Sequence, residues 1–189
     1  MRIHSNFPRP LLEQFRQQHQ VNFFVETGTL HGDTAELAAM MFDQVWSCDI
    51  NSRLIQLAKK RLKNYPNVSL SAEGSPDFLR RIKPELTQPT VYWLDAHWCG
   101  GPKPAKECCL IEELDAIGSF RVYGFDIDHS ILLIDDVELM ESPPPPPHDP
   151  TQWPTMVDIR AALDGWGEPY RFEYHQGPTS KILIVKPEL

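Results

Sequence analysis

The sequence predicts an α/β fold, a doubly wound and mostly parallel seven-stranded sheet with helices on both faces and a C-terminal antiparallel hairpin. Three observations predict it. Short apolar runs of strand length alternate with segments whose apolar residues recur at helical spacing. The first such run, VNFFVET at 21–27, ends in Gly28, with a second glycine at 32. Near the end of the chain, YRFEYH and KILIVK flank Gly177-Pro178, a short link that suits antiparallel pairing.

In chain order, the helical pattern DTAELAAMM (33–41) follows the first strand. QVWSCDI (44–50) is the second strand, and SRLIQLAKKRL (52–62) an amphipathic helix behind it. VSLSAE (68–73) is the third strand, with a helix expected at 76–83. TVYWLD (90–95) and SILLID (130–135) are continuous apolar runs, the mark of strands buried on both faces. TMVDIRAALDGW (155–166) reads as a helix ended by Gly167.

At 189 residues the chain is expected to be one domain, 1–189. Its 18 basic and 26 acidic residues give a formal charge of −8 without a basic run, which argues against a nucleic-acid partner. No apolar run is long enough for a membrane span, and the start lacks the apolar core of a signal peptide. A cytoplasmic location is therefore expected, with Cys48, Cys99, Cys108 and Cys109 as thiols. Homo-oligomerisation stays open. So does a zinc site from His97, Cys99, Cys108 and Cys109, although no C-x-x-C pair frames it. Two loops stand out. CGGPKPAKE (99–107) follows the fourth strand, and the proline-rich ESPPPPPHDPTQWP (141–154) follows the fifth. The second should form a stiff surface arch, either a linker or docking segment or a wall beside the site.

The turn after the first strand is Glu26-Thr27-Gly28-Thr29-Leu30-His31-Gly32-Asp33-Thr34. Its glycines permit a tight strand-to-helix turn and close approach by a ligand, and the following helix directs its amides at that ligand. The second strand ends in Asp49, followed by Ile50. An acidic residue about 20 positions past a glycine turn grips a ribose diol, although Asp49 would equally serve as an N-cap of the next helix.

The E-T-G-T-L-H-G-D-T stretch resembles the E-x-G-x-x-x-G-x-S/T motif of S-adenosylmethionine-dependent methyltransferases related to catechol O-methyltransferase. The stretch S-C-D-I-N-S-R-L is similar to their second strand and helix, and V-S-L-S-A-E-G-S-P-D to their third strand and adenine turn. The likeness spans residues 21 to 140. It implies S-adenosylmethionine as cofactor, with Glu26, Thr27, Gly28, Thr29, Gly32 and Thr34 near its methionyl part. Asp49 and Ile50 would lie at the ribose, and Gly74 and Ser75 at the adenine.

Strand four finishes in Asp95-Ala96-His97-Trp98, and strand five in Asp135-Asp136. If the strands are neighbours, three carboxylates converge, which calls for protons or a hard divalent cation, Mg²⁺ or a relative. Alternatively the aspartates cap loops and Asp95 pairs with Lys103 or Lys106. The resemblance implies Asp95, Asp135 and Asp136 as metal ligands, with Asp95 also beside the cofactor. Trp98 stands at the family's catalytic lysine position, so His97 is the available base. His97 also matches the second acidic position of the D-x-D motif in macrocin-type sugar O-methyltransferases, and D-A-H-W-x-G-G resembles methyltransferase-like proteins of unassigned substrate. The leading expectation is a metal-dependent O-methyltransferase acting on a small hydroxylated molecule, a sugar or phenol. The alternatives are a binding protein or pseudoenzyme on the same fold, and a metal-assisted hydroxylase or hydrolase.

Overall fold

The computed structural model describes residues 6–119, 130–167 and 169–188. Seven strands form one sheet in the order β3-β2-β1-β4-β5-β7-β6. The strands are β1 (Phe23–Thr27), β2 (Gln44–Cys48), β3 (Val68–Ser71), β4 (Thr90–Leu94), β5 (Ile131–Ile134), β6 (Tyr170–Gln176) and β7 (Lys181–Pro187). The first five pair in parallel, and β7 inserts antiparallel between β5 and β6. The predicted fold class is the observed one. β1 lies between β2 and β4, so the chain order reverses at the β1–β4 boundary. Ligands of open α/β sheets bind outside the carboxyl ends of the strands at such a switch point.

Alternate residues of the central strands feed two separate cores, as a two-residue period requires. Phe24, Val45, Val91 and Leu133 pack against α1 (Arg9–His19) and α2 (Asp33–Ala39). Val25, Trp46, Tyr92 and Leu132 pack against α4 (Ser75–Ile82), α5 (Leu110–Gly118) and α7 (Met156–Asp164). α3 (Ser52–Arg61) contributes Ala58 to the first core, and the short α6 (Glu138–Glu141) contributes Met140 to the second.

Two helices exceed the pattern read from the sequence. α1 begins beside Pro8 and Pro10 and buries Leu12 and Phe15. α5 lies between the two prominent loops and buries Leu110, Leu114 and Ile117 at helical spacing. The helix expected to stop at Gly167 ends earlier, at Asp164, where Gly165 takes the C-cap position. Its start is fixed by a reciprocal cap between Thr155 and Asp158. No helix among the described residues is long and apolar enough to cross a membrane.

Candidate functional site

The turn after β1 is glycine for a reason internal to the protein. Gly28 has φ +89°, and a Cβ there would stand 2.5 Å from the backbone oxygen of Asp95. The amides of Gly28 and Thr29 both donate to the Cys48 carbonyl at 2.9 Å, locking the turn to the end of β2. Leu30 follows at φ 47°, and its amide donates to Asp49 Oδ2 at 2.9 Å. The other Asp49 oxygen accepts from the Asn51 amide at 2.8 Å. Asn51, not Asp49, caps α3, accepting from the Arg53 amide. That removes the capping explanation for Asp49. Its carboxylate is held at the tip of β2 beside an exposed Ile50, and each oxygen keeps a lone pair for a further donor.

Glu26 is buried at the end of β1 and receives the Ser47 hydroxyl, which in turn lies 2.5 Å from Thr29 Oγ1. Burial pushes its carboxyl up to about 8, against the Ser47 and Thr34 hydroxyls that favour the ionised form. The side chains of Thr27 and Thr29 are both buried at the end of β1, Thr27 Oγ1 accepting from the Asp95 amide at 3.3 Å. Gly32 is left-handed and packs tightly on Ala58 and Leu62 of the α3 region, a helix-packing role. Gly74 is different. Its φ is −67° and a Cβ would meet nothing within 4 Å, so the fold does not demand glycine there. Ser75 opens α4 with its hydroxyl 3.2 Å from Cys109 Sγ.

At the ends of β4 and β5, ligand atoms of Asp95, His97 and Asp136 lie within 4.8 Å of one another. His97 Nε2 stands 3.1 Å from Asp95 Oδ1 and 3.3 Å from Asp136 Oδ2. Neither approach has the alignment of a hydrogen bond, and neither ring nitrogen of the buried imidazole has a hydrogen-bond partner among the described residues. Desolvation opposes charge on the ring, but Asp136 and Asp95 outweigh it and raise its pKa well above the usual 6.5. Asp136 sits at φ 51°, an unusual conformation for a non-glycine residue and one that aims its carboxylate at the imidazole.

Asp135, expected as a ligand, does not join this group. Its Oδ1 accepts from Asn6 Nδ2 and Ser180 Oγ, both at 2.6 Å, and from the Asp136 amide at 2.9 Å. Asp135 and Asp136 both lie just past β5, and the left-handed φ of 51° at Asp136 is where the chain leaves strand geometry between the two carboxylates. Burial first, and then the charge of Asp95, push the Asp135 carboxyl up to about 6. The suggested zinc site is also absent among the described residues. The Cys109 thiol donates to the Ala96 carbonyl at 3.3 Å, and Cys108 is buried in the core.

The two prominent loops meet above His97. Glu107 accepts from Trp153 Nε1 at 2.8 Å and from the Asp149 amide at 3.1 Å, and lies 3.2 Å from His148 Nδ1. Lys103 Nζ stands 2.5 Å from the same carboxylate. Burial would raise Glu107, but Lys103, Trp153, Asp149 and His148 hold it down to about 2. Trp153 covers the His97 ring at 5.3 Å between centroids, and His148 packs edge-on against Trp153 and Trp98. The proline-rich segment is therefore a wall. It also borders a groove of about 240 Å³ lined by Leu139, Pro143, Trp153 and Met156.

No family model and no curated protein matches the sequence. Solved structures do match. An O-methyltransferase from Bacillus cereus in complex with SAH is 16% identical, with a TM-score of 0.62, over 97% of this chain and 83% of that one. A SAM-dependent methyltransferase from Aquifex aeolicus is 15% identical, TM-score 0.58, over 94% of this chain and 87% of that one. An rRNA methylase from Streptococcus thermophilus is 12% identical, TM-score 0.54, over the whole of both chains. The chain has the fold of SAM-dependent methyltransferases.

In this methyltransferase fold, Gly28 packs on the Asp95 backbone at the switch point, and the Leu30 amide ties the same turn to Asp49. The site also contains residues the sequence does not single out. Glu113 of α5 is buried, and Ser75, Thr27 and Cys109 beside it oppose the rise that burial imposes on its carboxyl. An acidic residue on the apolar face of the 110–118 helix is the signal that finds it. Asn6, Ser180 and Glu107 carry no such signal, because their partners are brought together only by the fold.

Proposed function

We propose that the protein is an S-adenosylmethionine-dependent O-methyltransferase that acts on a small hydroxylated molecule with a divalent cation at the ends of β4 and β5. The observation that carries the reading is the Gly28 turn beside the switch point, with Glu26 in β1 and Asp49 just past the end of the adjacent β2. Asp49 is oriented by two backbone amides to take a ribose hydroxyl. An exposed Ile50 after β2 and the open space at Gly74 after β3 suit a purine ring there. Glu26 suits the ammonium end of the cofactor, since a cation beside it would offset the burial that now favours its protonated form.

Asp95, His97 and Asp136 fit a cation, because a buried imidazole with no hydrogen-bond partner faces two carboxylates. When bound, the cofactor supplies an activated methyl group and the cation an electrophile for the acceptor oxygen. The chain's own residues position and exclude. Trp153 and the proline wall keep water from His97, and Glu107 fastens that wall to the loop after β4. His97 is poorly placed for the base role, since two carboxylates favour its protonated form and Trp153 covers it. A net charge of −8 disfavours RNA as the acceptor.

Methyl transfer from labelled S-adenosylmethionine to a panel of sugars and catechols tests the reading. Activity should be lost on Asp136→Ala. Transfer unchanged by that substitution would remove the cation from the reaction. A second reading, a binding protein on the same fold, is favoured by the closure over His97, whose side chain is only 6% exposed. Cofactor binding with no transfer to any acceptor would support it.

A further inference from the structure

We infer that the cation site is an imidazole–dicarboxylate site, with His97 as a ligand, selective for a borderline transition-metal ion such as Co²⁺ or Zn²⁺ over Mg²⁺. The inference deepens the cation part of the proposed function and rests on that reading only for its use in methyl transfer. Three carboxylates would make a hard, all-oxygen site suited to Mg²⁺. The third carboxylate, Asp135, has its Oδ1 held by Asn6, Ser180 and the Asp136 amide, and it stands outside the group whose ligand atoms converge. Its place in the cluster is taken by His97.

The spacing suits coordination. Two ligands each about 2.1 Å from an ion lie roughly 3.0 Å apart at right angles and roughly 3.4 Å apart in a tetrahedron. His97 Nε2 stands 3.1 Å and 3.3 Å from its two carboxylate neighbours. A simple ion pair of the same length would direct the ring N–H at an oxygen, and it does not. The side chain is 6% exposed, so water cannot readily satisfy the nitrogen that faces the carboxylates. Nitrogen ligation raises affinity along the first transition series and does little for Mg²⁺, which prefers oxygen and keeps its waters.

The test is calorimetric titration of the intact chain with Co²⁺, Mn²⁺, Zn²⁺ and Mg²⁺, with and without S-adenosylmethionine, together with the visible absorption of the Co²⁺ complex. One equivalent of Co²⁺ should bind at least about 100-fold tighter than Mg²⁺. His97→Gln and Asp136→Asn should each weaken Co²⁺ by at least about tenfold, since even outer partners of metal ligands cost that much. Mn²⁺ should broaden the His97 ring protons in the unaltered chain, a readout that stands if a variant does not fold. Mg²⁺ binding as tight as Co²⁺, no binding of any of the ions, or His97 protons untouched by Mn²⁺ would each overturn the inference. S-adenosylmethionine binding with no preference for Co²⁺ would sink the inference and leave the cofactor reading intact. Selective Co²⁺ binding by a chain that does not bind S-adenosylmethionine would do the reverse.

Discussion

Replacing Gly28 by alanine separates what the glycine turn does for the fold from what it does for a ligand. Alanine at φ +89° takes on the left-handed penalty of about 1–2 kcal/mol. Its methyl group would also sit 2.5 Å from the Asp95 oxygen and 2.9 Å from the Asp95 carbonyl carbon. Both are backbone atoms just past the end of central β4 and cannot swing aside as a side chain would, so overpacking adds about 1–3 kcal/mol. The sum is about 2–5 kcal/mol. Urea unfolding followed by tryptophan fluorescence measures it as a lower midpoint at unchanged slope. Gly74→Ala is the comparison. Its backbone suits alanine and the space is open, so stability should hold or rise by about 0.4–1 kcal/mol. Its affinity for S-adenosylmethionine should nevertheless fall, because the methyl enters the space assigned to adenine. A Gly28→Ala protein within about 0.5 kcal/mol of the parent would refute the packing account. Unchanged cofactor affinity in Gly74→Ala would refute the adenine assignment.

Three further outcomes follow from the same geometry. Glu26 titrates near 8 when folded and near 4.5 when unfolded, so the folded state holds the extra proton between those values. Its contribution to stability is full below pH 4.5 and declines as pH rises to 8, by at most about 1.4 kcal/mol per pH unit. Glu26→Gln should flatten that slope in a pH series of unfolding curves, and an identical slope in the variant would exclude Glu26 as its source. Asp135→Ala strands the buried Asn6 and Ser180 donors, and chemical denaturation should show a loss of about 1–3 kcal/mol. A loss below about 0.5 kcal/mol would show that those donors find other partners. Glu107→Gln removes the charge that joins the two loops, so proteolysis within 141–154 should quicken while the rest of the chain resists. Cleavage at the parent rate would mean the wall stands without that carboxylate.

The central strands were legible because burial on both faces leaves a continuous apolar run, as in TVYWL of β4, bounded by turn residues. α1 is less plain because its apolar positions, Leu11, Leu12 and Phe15, are few and follow two prolines. The proposed cofactor end was legible because its chemistry is local, with Gly28 at a strand end and Asp49 at the next. The proposed cation end was not, because it depends on the direction of each side chain. Asp135 and Asp136 are adjacent in the sequence, and the left-handed turn at Asp136, just past β5, sets which one faces His97. Asn6 and Ser180 complete Asp135 from opposite ends of the chain, a juxtaposition that no local pattern encodes.

The most direct measurement is calorimetric titration of the intact chain with S-adenosylmethionine at neutral pH, beside the Asp49→Ala variant. The account predicts one equivalent bound, with affinity reduced at least about tenfold when the ribose carboxylate is removed. Absence of binding, or binding indifferent to Asp49, would contradict it.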